Sequence, residues 1–171
     1  ASHKFVNKDS ASLHYYALTI FQKILSFHAG DAKPDALIDA DIERISFVKQ
    51  YGVMNNKDEL FIKALEDVVQ AHPNDPGTAQ ASYLIAQQIF EKANAADKKS
   101  SDTLRYTIKN AKQIAEATAN KFPESEGGIN AKNLLNQILH KELNLTSEKV
   151  NIPGEPFRTL VTYKNFSALN F

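Results

Sequence analysis

The chain has no cysteine and no tryptophan, only six glycines, and only three arginines, at Arg44, Arg105 and Arg158. Without cysteine there is no disulfide framework, no cysteine zinc site, no thiol nucleophile and no internal thioester within these residues. Twenty Lys and Arg balance twenty Asp and Glu, giving a formal charge of zero. That balance argues against a nucleic-acid partner or an anionic membrane surface, because binders of either kind concentrate basic residues well beyond neutrality. No apolar run reaches the ~20 residues needed to span a bilayer, and the opening ASHKFVNKDS lacks the apolar core of a signal peptide. No G-x-S-x-G, glycine-rich phosphate loop or D-x-D-x-D-G calcium loop occurs. What the chain does have is 43% hydrophobic residues in 171, enough to build the core of one domain with a short appendage.

Helical periodicity runs from Ser10 to about Leu143 and predicts six helices. Leu13, Tyr16, Ala17, Ile20, Phe21, Ile24 and Leu25 follow i, i+3, i+4 spacing up to Gly30. A second helix runs from Pro34 through Ile38, Ile42, Ile45 and Val48 to Tyr51-Gly52. A third, from Lys57, places Leu60, Phe61, Ala64, Leu65, Val68 and Val69 on one face and closes at His72-Pro73. The turn formers Asn74 to Gly77 then lead into a fourth, small-residue helix through Ala79, Tyr83, Ala86, Phe90 and Ala93. Lys98 to Asp102 is a polar break, with Ser101 or Asp102 as the expected cap of a fifth helix that Pro123 stops. The sixth starts near Glu126.

The expected fold is therefore all-α: a tetratricopeptide-like array of about six antiparallel helices, three hairpins, over residues 1–143. Residues 144–171 read as a linker containing Pro153, Gly154 and Pro156, followed by a β-type tail in which Leu160, Thr162 and Lys164 alternate with Val161 and Tyr163. A strand or pair of strands cannot bury a face alone. The alternating apolar pattern reaching Phe171 suggests the start of a following sheet domain.

The stretch Ala64 to Pro76 echoes Ala115 to Ser125: each is a helix end, then Pro, then polar turn residues, then a helix rich in small residues. The two prolines, Pro73 and Pro123, lie 50 residues apart, against 34 in tetratricopeptide repeats.

Chemistry is sparse. The five histidines form no H-x-x-x-H pair. The acidic pairs Asp39/Asp41, Glu66/Asp67 and Glu124/Glu126 suit helix starts or polar faces. The expectation is no enzyme, no cofactor and no metal. Arg44, set among apolar positions, is expected either to reach a carboxylate or carbonyl or to snorkel. Tyr16, Arg44, Tyr83 and Tyr106 are the candidates for a partner groove. The sequons at Asn144 and Asn165 are read as chance.

Three segments carry a family resemblance: Ala36 to Val48, the helix end His72-Pro73-Asn74-Asp75-Pro76, and the closing Pro156 to Phe171. Together they resemble the N-terminal region of the large alpha-2-macroglobulin-family proteins of Bacteroidetes, where a helical segment precedes the first macroglobulin-type β-sandwich. The resemblance covers nearly the whole chain, and its most specific part is Thr162-Tyr163-Lys164-Asn165. It implies a protease-trapping or surveillance protein of the bacterial cell envelope, periplasmic or lipid-anchored at the outer membrane, in which this stretch is an accessory, non-catalytic scaffold. The implied partner is a protein: the neighbouring domain of the same chain or an envelope protein. No trapping residue of that family is carried by these 171 residues. The alternative is a free-standing peptide-binding adaptor.

Overall fold

The computed structural model describes residue 9, residues 11–96, 101–148, 150, 152–168 and 170, with backbone only at 101–103. Six helices precede two strands: α1 Leu13–His28, α2 Asp35–Tyr51, α3 Lys57–Ala71, α4 Thr78–Ala95, α5 Ser101–Lys121, α6 Glu126–Leu139, β1 Glu142–Ser147 and β2 Thr159–Lys164. Each helix begins and ends close to where the apolar periodicity and turn residues place it. Pro34 sits one position before the first turn of α2, at its N-cap. Ser12 and Ser125 cap α1 and α6 by accepting from the backbone N–H of Tyr15 and Gly128. The expected side-chain cap of α5 at Ser101 or Asp102, and most of the polar break before it, lie outside the described residues.

Two buried clusters join the helices. The first gathers Ile38, Ile42 and Ile45 of α2, Phe61, Leu65 and Val68 of α3, and Ala81 and Ile85 of α4. The second gathers Ala86 and Phe90 of α4, Ala111 and Ala115 of α5, and Ala131, Leu134 and Ile138 of α6. Ile89 and Ile114 pack against both, so α4 is shared and the core is continuous. Apolar burial of this kind stabilises by roughly 25 cal/mol per Å², and it is what makes helices that would melt in isolation persist here.

The echo between the two proline turns extends much further in three dimensions. Residues 57–70 and 107–120 have the same burial class at every position, shifted by 50. The turns repeat as well: Asp75 N–H donates to His72 O at 3.1 Å, and Ser125 N–H to Phe122 O at 3.2 Å. The two units touch through equivalent residues, since Asn130 Nδ2 donates to Gln80 Oε1 at 3.2 Å. Lys121 Nζ reaches Pro73 O at 2.6 Å, linking one turn to the other. A stack of this type buries the apolar face that each unit cannot bury alone.

The segment 144–147, expected as linker, is strand. β1 pairs antiparallel with β2 in the register Leu143↔Tyr163, Leu145↔Val161 and Glu142↔Lys164. Directly opposed residues share a face, so Leu143, Leu145, Val161 and Tyr163 form one apolar face, while Glu142 and Lys164 oppose across the other. Every residue of both strands is exposed except half-buried Val161. The hairpin therefore stands off the helices. Asn165 ties it down: in the left-handed region at φ 59°, which Asn tolerates, its Nδ2 donates to Ile138 O and His140 O, both at 2.8 Å. These are carbonyls freed at the C-terminus of α6.

Candidate functional site

Two grooves run along the helical array, on different elements. The larger, of about 610 Å³, lies between α4 and α6. Phe90 and Leu134, both buried, form part of its apolar lining. Its polar lining includes Tyr83, Gln87, Asn94, Asn130, Asn133 and Gln137, with Glu91 the one charged residue. Of the residues that are equivalent in the two units, Gln80 and Asn130 are hydrogen-bonded across the α4–α6 contact, and both members of the pairs Tyr83/Asn133 and Gln87/Gln137 line the groove. Primary amides offer two donors and an acceptor without charge. Such a lining suits the backbone of an extended polypeptide better than a charged small molecule. The Tyr83 phenol is held above the ordinary tyrosine value, first by desolvation and then by Glu91, so it remains a protonated donor across the physiological range.

The second groove, about 460 Å³, lies where α1, α2 and α3 meet and includes Leu25, Asp41, Arg44, Asp67 and His72 in its lining. Arg44 is held by its own helix: Nε and Nη2 each lie 2.7 Å from Asp41 Oδ1. It therefore reaches a carboxylate one turn away and remains partly exposed, a pairing whose net contribution is small. Arg44 also helps line a third hollow of about 260 Å³, with Met54, Leu60 and Phe61.

The four candidate residues are not brought together. Arg44 belongs to the α1–α3 side and Tyr83 to the α4–α6 groove, and the two linings share no residue. Tyr16 is exposed on α1 and Tyr106 is exposed on α5. His14 meets Phe47 edge-on and Tyr51 at a tilt, with ring centroids 5.8 and 4.5 Å away, and His28 Nδ1 lies 2.6 Å from Asp31. Among the described residues no group of three or more His, Asp or Glu side chains is arranged to hold a metal ion. Nor is any helix among them long and apolar enough to cross a membrane.

Sequence reasoning missed three features. Lys49 bonds to Gln88 and lies over the Phe61 ring at 4.3 Å, tying α2 to α4 and α3; a lone lysine among helix residues gives no sequence signal of this. Asn165 is the second, and the third is the carboxylate cluster around Asp39. Asp39 is held above the usual carboxylate value, first by desolvation and then by Asp35, Glu126 and Asp75. Only the structure shows that the start of α2 faces both proline turns.

Comparison with protein-family models, with curated proteins and with solved structures finds no match.

Proposed function

We propose that the chain is a non-catalytic helical interaction module of a larger protein, and that its β-hairpin packs on or joins a neighbouring β-sandwich domain. The observation that carries this reading is the uncovered apolar face of Leu143, Leu145, Val161 and Tyr163. Two strands with one apolar face are marginal in water, and here the described hydrogen bonds to the end of α6 run through Asn165. Under the resemblance noted above, the neighbour is the first sandwich of a macroglobulin-type protease-trapping protein. The module then sits at the bacterial cell envelope and positions that sandwich.

The test is hydrogen exchange on a chain extended past Phe171 by its gene's continuing sequence. The module reading expects strong added protection from Thr159 to Ala168 and a second, β-rich unit. Unchanged exchange there, with the hairpin still open, overturns it.

The second reading, a peptide-binding adaptor, is favoured by the amide-lined groove between α4 and α6. It predicts that extended peptides bind the 171-residue chain and that Asn133→Ala or Gln137→Ala weakens them about tenfold, from the loss of about one neutral hydrogen bond. Both side chains are exposed, so neither change should alter the melting transition.

A further inference from the structure

The first helix combines the highest mean hydropathy of the five fully described helices with no buried residue. α1 packs on α2 through one side, where Phe21 meets Phe47 with ring centroids 5.7 Å apart and His14 meets Tyr51. Its other side carries Leu13, Tyr16, Ile20, Ile24 and Phe27, which are 79, 51, 56, 37 and 77% exposed. At 3.6 residues per turn these five directions fall within about 80° of arc centred on Ile20. The side chains facing α2 point about 120° away. The exposed stripe is thus a second apolar face and no overflow of the α1–α2 contact.

Two properties of the stripe say what covers it. The first is charge: Lys23 is the only Lys, Arg, Asp or Glu in α1. An interfacial membrane helix carries a strongly basic polar face, which α1 lacks, and a charged partner would find nothing to pair with. The surface that fits is itself apolar and nearly uncharged. The second is symmetry. The spacings from Leu13 to Phe27 run three, four, four, three, so the stripe reads the same in both directions about Ile20. Laid antiparallel on a second copy, Ile20 meets Ile20, Tyr16 meets Ile24, and Leu13 meets Phe27. Lys23 falls opposite Ala17 and clear of the other Lys23. Self-complementarity of this kind is what a two-fold, isologous interface requires.

The area suffices. Taking roughly 150–250 Å² for each large side chain, the stripe exposes about 600 Å². That is at the upper end of what monomers leave open, and two copies together clear the ~1,000 Å² that a specific interface needs. We infer that α1 is the seam of an antiparallel homodimer whose two-fold axis passes through Ile20. This inference is independent of the function proposed for the hairpin.

The absence of cysteine makes the test clean, since each introduced thiol is the only one in the chain. The 171-residue chain should sediment at twice its 19.0 kDa mass. Ile20→Asp should weaken association at least 100-fold while leaving helical content unchanged and removing the concentration dependence of the melting transition. Under mild oxidation Ile20→Cys should form a disulfide-linked dimer. Leu13→Cys and Phe27→Cys should each stay single alone and cross-link when mixed. A monomer at 100 µM overturns the proposal, as would happen if residues 1–10 or another partner covered the stripe. Equal cross-linking of Leu13→Cys and Phe27→Cys with themselves overturns it too, because that reports a parallel or non-specific pairing.

Discussion

Phe61, Leu65 and Val68 in the first unit and Ala111, Ala115 and Thr118 in the second occupy equivalent positions 50 residues apart, and all six are buried. The burial pattern belongs to the place in the stack, and side-chain volume does not decide it. What volume decides is how closely the helices approach, because interiors are packed without voids. The glycines that open the two equivalent helices show this. A Cβ on Gly77 would meet the Ile38 side chain at 3.3 Å, whereas a Cβ on Gly127 would lie 2.1 Å from the backbone N of Gln80. α4 rests on α2 through a side chain; α6 rests on α4 backbone to backbone. Large residues hold the first unit apart, and small ones draw the second together.

The largest effect should come from adding one methyl group where backbones meet. Gly127→Ala forces α6 off α4 and should cost about 3 kcal/mol or more, above the usual overpacking range. Gly77→Ala should stay within about 1 kcal/mol, since a side chain can yield. Denaturant melts of the two variants check this, and equal costs would remove the contrast. Next, the cores should fail in opposite ways. Leu65→Ala leaves a cavity costing about 3 kcal/mol, while Ala115→Leu at the equivalent position overpacks by about 2 kcal/mol. If Ala115→Leu is neutral, the second unit is loosely packed and the account of it is wrong.

Smaller again is Asn165→Ala, which removes two hydrogen bonds worth about 1 kcal/mol each. Its signature is local: exchange should accelerate across β1 and β2 while the helices keep their rates. Smallest is Asp39→Asn. The folded state raises the pKa of Asp39, so the unfolded chain ionises first, and folding loses stability as pH rises from the unfolded value of about 3.9 through the folded value. The amide should therefore gain stability at pH 7 by under about 1 kcal/mol, the carboxyl being largely solvated. The gain should vanish below about pH 3.5, where the carboxyl is protonated in both states. A gain that persists at low pH would exclude the charge explanation.

The helices were legible because each carries a 3.6-residue apolar stripe bounded by Gly, Pro or a capping Ser, signals that act locally. β1 is not legible in this way: Leu143 and Leu145 alternate with Asn144 and Thr146, but the alternation is short and follows directly on α6, so residues 144–147 read as linker. The repeat was visible only around the two prolines, because Phe61 and Ala111, or Leu65 and Ala115, share a position without sharing a side chain. The site was less legible still. Tyr83 stands out in the sequence as an aromatic among small residues, but the amides that line the groove with it, Asn130, Asn133 and Gln137, look like ordinary helix residues until α6 is laid beside α4. Arg44 has apolar neighbours in the sequence, yet its partner is Asp41 on its own helix.

Residue-resolved hydrogen exchange of the 171-residue chain tests the central claim most directly. The account predicts slow exchange with matching profiles over residues 57–70 and 107–120, and fast exchange over Glu142–Ser147 and Thr159–Lys164. Unrelated profiles in the two helical stretches, or a hairpin as protected as the helices, would contradict both the stacked units and the uncovered β face.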